Sequence, residues 1–231
     1  GTVCKLDVHN YTTTVIGRHD APVKTVACGG DGSLVVSGSW DATCRFWDPM
    51  AAPTSKPQFN IQLPDKVYAM DVSKDLLVVA MANRHIHLYD TRRPDTPMQR
   101  RESSLKYQTR CVKLFPDATG FVIGSIEGRV GVEYVDPQDS IQQQKYAFKC
   151  HREPCAGPTP QDPPRELVHP INALAFHPAY GTFATGGSDG VVSVWDAKHR
   201  KRVKQLSPKY ATSISSLSFS PDGTLLAVAS S

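Results

Sequence analysis

The chain has 231 residues, 40% of them hydrophobic and 21% charged, a balance that supports a packed core and excludes a disordered polyelectrolyte. Lysine and arginine exceed aspartate and glutamate by 26 to 22, and the resulting +4 is too small and too dispersed to call for nucleic acid as a partner. With no run of eighteen or more apolar residues and no basic-then-apolar leader, the sequence predicts an intracellular protein without a membrane span. The six cysteines (Cys4, Cys28, Cys44, Cys111, Cys150 and Cys155) form no C-x-x-C pair, and most lie in apolar strand patterns, which predicts reduced core residues.

Along the chain, short alternating or apolar runs bounded by Gly, Asp, Asn and Pro take the place of helical periodicity, which predicts an all-β fold. Residues 1–17 read as the last two strands of a repeating unit. In "GSWDATCRFWD" (38–48), Asp41 precedes Trp47 by six positions and Asp48 follows. "ANRHIHLYD" (82–90) repeats the arrangement with Asn83, Tyr89 and Asp90, and "GGSDGVVSVWD" (186–196) with Asp189, Trp195 and Asp196. A period of about 40 to 45 residues closing on Trp-Asp is that of the WD-repeat β-propeller, with four strands to a blade.

His19 and His169 stand 28 and 26 positions before Trp47 and Trp195, completing the span of the repeat. In such a blade buried polar groups must satisfy one another, which predicts two networks: His19, Ser37, Asp41 and Trp47, and His169, Thr185, Asp189 and Trp195. A histidine, a hydroxyl and an aspartate also compose a hydrolytic triad, but recurrence once per repeat points to stability rather than catalysis.

The template places whole blades at 18–63, 64–101, 102–149 and 150–206, with residues 207–231 starting another. The predicted object is a single domain, a partial arc of four complete blades and two half blades, whose first and last strands do not pair; their joining into a fifth blade is the alternative. "REPCAGPTPQDPPREL" (152–167) is expected to be an irregular surface loop. The third blade is degenerate: "GSIEGRVGVEY" (124–134) puts Glu127 at the Asp41 position, Arg129 at Thr43 and Glu133 at Trp47.

That blade carries the cations. "SSLKYQTRC" (103–111) has Lys106, Tyr107 and Arg110 and no acid. Arg110 falls at the start of the blade's first strand and Arg129 at the start of its third, so both are expected at one rim, two strand spacings or roughly 10 Å apart. Trp40, in the corresponding turn of an earlier blade, is explained by blade packing less readily than Trp47. The expected site is a basic, aromatic-edged shelf for carboxylates or a phosphate, made by Trp40, Lys106, Tyr107, Arg110, Glu127 and Arg129. The bland alternative pairs Arg110 with Glu127 or Glu133 and folds Trp40 over a strand. His85 and His87 share a strand face, as a two-histidine metal site needs, but no third ligand is placed by sequence; Cys150, His151, Cys155 and His169 carry zinc-type atoms around the Pro-rich loop, but their spacing matches no standard zinc pattern. The sequence therefore predicts no metal, no cofactor and no enzyme site.

"HDAPVKTV" (19–26), "SGSWDATCRFWDP" (37–49), "RRESSLKYQTRC" (100–111), "SIEGRVGVEYVDP" (125–137), "KYAFKCHR" (145–152) and "TFATGGSDGVVSVWD" (182–196) strongly resemble the mitotic-checkpoint Bub-three family of WD-repeat proteins. The resemblance covers essentially the whole chain. It implies a seven-bladed, non-catalytic adaptor of nucleus and kinetochore, also found in the cytoplasm. Its implied partners are the GLEBS segments of a checkpoint kinase and of its kinase-like relative, and phosphorylated Met-Glu-Leu-Thr motifs of a kinetochore scaffold. Carried over by motif, it assigns Trp40, Arg110 and Arg129 to that surface. Roughly the first one and a half blades of the family propeller, its last strands and its tail are expected to be missing. The Rae/Gle-type messenger-RNA export family, which binds a nucleoporin GLEBS segment, shares "SIEGR" and "FKCHR". It usually has proline at Ser104 and histidines at Tyr107 and Thr109, which favours the checkpoint resemblance.

Overall fold

The computed structural model describes residues 1–29, 32–51, 56–156 and 165–231. Two compact units divide it, Gly1–Ser103 and Ser104–Ser231. In the first, β1 (Thr2–Asp7) and β2 (Thr12–Arg18) pair with each other. A four-stranded antiparallel meander follows, β3 (Val23–Cys28), β4 (Val35–Ser39), β5 (Thr43–Trp47) and β6 (Phe59–Gln62). A second runs through β7 (Val67–Ser73), β8 (Leu76–Met81), β9 (His85–Asp90) and β10 (Gln99–Glu102).

In the second unit the meander β11 (Thr109–Leu114), β12 (Gly120–Ser125), β13 (Arg129–Tyr134) and β14 (Tyr146–Lys149) carries the short helix α1 (Asp139–Gln142) before its last strand. A hairpin of β15 (Arg152–Cys155) and β16 (Arg165–Val168) follows. The last four-stranded sheet is β17 (Ile171–Phe176), β18 (Thr182–Gly187), β19 (Val192–Asp196) and β20 (Lys201–Gln205), and β21 (Ile214–Phe219) pairs with β22 (Leu226–Ser230). These repeated small antiparallel meanders are the blades of a WD-repeat propeller.

Within each unit the core lies between consecutive sheets. Val36, Cys44 and Phe46 of one sheet pack with Val67, Leu77 and Tyr89 of the next, and Val122, Val130 and Val132 with Ile171, Leu174 and Phe183. An inner strand is covered on both faces, so β8 ("LLVVAM") and β12 ("GFVIGS") are buried throughout, whereas the outermost β20 ("KRVKQ") is exposed throughout. Close approach of the next sheet fixes a small residue late in the second strand. A Cβ on Gly124 would lie 2.7 Å from Cys111 Sγ and 2.9 Å from Ile171 Cγ2, and one on Gly38 would lie 2.7 Å from Val67 Cγ1.

Two expectations need correction. Residues 152–167 are not irregular throughout, because Arg152–Cys155 and Arg165–Val168 close on each other as an antiparallel ladder; the Pro-rich residues 157–164 lie outside the described residues. Nor are the cysteines all core residues. All are free, and Cys44 and Cys150 are buried, but Cys4, Cys28 and Cys155 are exposed because they occupy outward positions of strands with a solvated face. Among the described residues no helix is long and apolar enough to cross a membrane.

Candidate functional site: cations at the strand starts

The first repeat shows what an intact blade does with its polar residues. The indole N–H of Trp47 donates to Ser37 Oγ at 2.7 Å, Ser37 Oγ lies 2.7 Å from His19 Nε2, and His19 Nδ1 lies 3.0 Å from Asp41 Oδ2. With the imidazole neutral and protonated on Nδ1, every group in this relay is satisfied. Burial keeps His19 below the ordinary histidine value despite the opposing pull of Asp41. For Asp41, burial alone would raise the carboxyl, but hydrogen bonds from Thr43, the Asp20 backbone and His19 outweigh it and hold it below the usual range. The order Asp–His–Ser is that of a hydrolytic triad, yet Ser37 is fully buried and its oxygen is taken by the indole, so no substrate reaches it.

The last four-stranded sheet repeats the relay with a different histidine. Trp195 Nε1 donates to Thr185 Oγ1 at 3.0 Å, but His151, not His169, completes the chain: its Nε2 lies 2.8 Å from Thr185 Oγ1 and its Nδ1 2.9 Å from Asp189 Oδ1. The hairpin β15–β16 is the reason. It leaves the blade after His151 and returns at His169, whose N–H donates to the His151 carbonyl at 3.0 Å, so counting residues back from Trp195 stops at the wrong end of the insertion. His169 Nε2 is left buried without a partner among the described residues.

In β11–β14 the relay is gone. Leu105, Ile123 and Glu133 stand where the first repeat has His19, Ser37 and Trp47, and all three are buried. Glu133 accepts the backbone N–H of Ser104 at 3.2 Å, which anchors the segment leading into β11. The turn from β12 to β13 needs a left-handed residue, supplied by Gly128 at φ +60; a Cβ there would lie 2.8 Å from the Cys150 carbonyl oxygen.

This frame sets the arginines. The β11–β12 ladder slips between Thr109 and Cys111, so Arg110 is the extra residue of a bulge and its side chain leaves the sheet face. It is exposed, and its one hydrogen-bond partner among the described residues is Asn172 Oδ1 at 2.9 Å. Arg129 opens β13, separated from β11 by β12 alone, about 10 Å by strand spacing. Its side chain is 38% exposed, with Nε 3.7 Å from Glu127 Oε2, too long for a hydrogen bond. Arg110 is therefore paired with neither Glu127 nor Glu133. Lys106 and Tyr107 are exposed in the segment before β11. Trp40, in the first unit, is 49% exposed rather than folded over a strand, and its backbone N–H is tied to the Pro22 carbonyl at 3.0 Å.

Two features escaped the sequence reading. The first strands β3, β7, β17 and β21 slip at their second residue as β11 does, which puts Lys24, Tyr68, Asn172 and Ser215 in the position of Arg110; the recurrence of the repeat was the available signal. Arg152 also joins the turn, donating to the Glu127 carbonyl at 2.7 Å and pairing with Glu166 at 2.7 Å, and no local pattern announces a contact across the hairpin. Chemically, the rim offers the forked donors of Arg110 and Arg129, with Glu127 beside Arg129. Glu127 is largely buried and its Oε1 has no partner among the described residues, so a carboxylate or phosphate is best received on the exposed side of Arg129, beside that pair rather than in its place.

Meanders, polar relays and αL turns together define a WD-repeat propeller protein. The WD domain, G-beta repeat family matches residues 10–48, 162–196 and 200–231. The chain is 51% identical over 219 residues to the mitotic checkpoint protein BUB3.1 of Arabidopsis thaliana, covering 94% of this chain and 62% of that protein. It is 38% identical over 229 residues to the spindle assembly checkpoint protein bub3 of Schizosaccharomyces pombe, covering 99% and 68%. With the mRNA export factor GLE2 of Chaetomium thermophilum it shares 39% over 226 residues, covering 97% and 60%. The chain belongs to the Bub3 family of WD-repeat proteins. It spans about three fifths of the length of several of the curated relatives it matches.

Proposed function

We propose that this chain acts as a non-catalytic adaptor of the spindle assembly checkpoint, in the nucleus and at kinetochores. Its ligands are acidic GLEBS segments of a checkpoint kinase and its kinase-like relative, and phosphorylated Met-Glu-Leu-Thr motifs of a kinetochore scaffold. Arg110 and Arg129 grip the acidic groups by charge-assisted hydrogen bonds, Lys106 and Tyr107 border them, and Glu127 holds Arg129 in position. Trp40 adds a separate apolar contact. The observation that carries the reading is the placement of Arg110 and Arg129 at the starts of β11 and β13, in the one four-stranded sheet among the described residues whose Asp41 position holds a glutamate.

The test is recovery from mitotic extract with wild type and Arg129→Glu. Checkpoint kinases recovered by the wild type and lost with the variant support the proposal; equal recovery by both sinks it. The identity with the GLE2 protein keeps an export reading in view, and recovery of nucleoporins instead of kinases would select it. That outcome would also carry salt-sensitive binding to single-stranded RNA.

A further inference from the structure

The second meander, β7–β10, also lacks the relay, whose positions are filled by buried residues. Tyr89 stands at the Trp47 position, Val79 at Ser37 and Leu63 at His19. Beside β9 and β10 lies a groove of about 720 Å³, floored by Ile61, Pro64 and Pro97 and lined by His85, His87 and Arg100. Arg100 lies directly opposite His87 in the β9–β10 register, and His85, two residues before His87, faces the same side. His87 Nδ1 is 3.2 Å from the Tyr89 hydroxyl, so the ring's other nitrogen has no partner among the described residues. Neither Arg100 nor His85 has an ion-pair partner there.

Other charges line the same groove. Glu102 is paired with Arg84 at 2.8 Å, Arg101 is held by Gln99 Oε1 at 2.8 Å, and Asp95, on the exposed connection between β9 and β10, makes no ion pair among the described residues, so it does not close on Arg100 or either histidine. Val79 on β8 and Ile61 and Gln62 on β6 bring no charge. Burial, then Arg100 and His85, hold His87 below the ordinary histidine value. A metal is the wrong ligand for two imidazoles opposite a guanidinium, and no group of three metal-ligating side chains occurs among the described residues.

We infer that the groove beside β9 and β10 binds an oxyanion, the carboxylate or phosphate of an acidic peptide segment, through Arg100, His85 and His87. Arg100 supplies a forked donor, and the imidazoles become donors on protonation, so binding takes up protons and tightens as pH falls. This site is separate from Arg110 and Arg129 and does not depend on them.

The full chain, labelled in its histidine rings, is titrated with sulfate against chloride at matched ionic strength and followed by NMR; acetate forms a second arm that separates carboxylate from tetrahedral preference. The His85 and His87 signals are expected to move saturably with at least one of the two anions. Affinity is expected to rise about tenfold from about pH 7.5 to about pH 5.5. Arg100→Gln, at an exposed position, should abolish the response and leave the thermal midpoint unchanged. Signals that follow chloride equally, a response to neither anion, affinity independent of pH, or an unaltered response in Arg100→Gln each overturn the inference.

Discussion

The sheets β3–β6 and β11–β14 share one plan of turns and ladders but spend their polar residues differently. In the first, His19, Ser37, Asp41 and Trp47 close on one another and leave nothing for a ligand. In the second, Leu105 and Ile123 make the interior apolar, Glu133 turns to the backbone of Ser104, and the position of Thr43 becomes Arg129, which faces outward. The lesson is that a repeat needs the space of the relay filled, not the relay itself; once apolar groups fill it, the turn is free to carry charge.

The largest expected break is Trp47→Ala. It removes the indole that packs with Val3 and Ile16 and strands Ser37 and His19, for about 3–5 kcal/mol in chemical denaturation. Glu133→Gln at the equivalent place should cost far less. Next, Arg110→Ala or Arg129→Ala should weaken an acidic peptide by about 1.5–3 kcal/mol each in calorimetric titration, with no change in melting temperature. An unaltered affinity would mean that the rim is ordinary solvated charge.

The histidine correction is sharpened by a pair of variants. His151→Leu leaves Asp189 and Thr185 without their partner and should cost about 1–3 kcal/mol, whereas His169→Leu removes a nitrogen that is buried unpaired and should cost little or stabilise. Equal effects would place both histidines in the relay. The smallest effect is on pH. His19 is held below its ordinary value by burial, so the unfolded chain takes up a proton that the relay refuses. The relay's contribution is whole above about pH 6.5 and is lost as pH falls through the lowered folded value. Melting temperature against pH should therefore fall more steeply in wild type than in His19→Leu.

Much of this was legible because it is local. The Trp-Asp spacing, the turn aspartates and the alternation of apolar residues locate strands and place Arg110 and Arg129 at strand starts, since a ladder converts spacing into position. The exposed cysteines were misread because an apolar run does not say which of its faces meets solvent. His169 was misread because a hairpin returns the chain to its point of departure, and residue counting cannot see that.

Taken alone, the sequence determined the repeat, the first polar relay and the degenerate blade that carries Arg110 and Arg129, all of which depend on neighbours a few residues or one ladder away. Tertiary structure alone decided that Asn172 holds Arg110 across 62 residues, that His151 serves Asp189, and that His85, His87 and Arg100 share a groove. Those contacts depend on which sheet packs beside which and on where an insertion closes, and through-space distances of this kind leave no period in the chain.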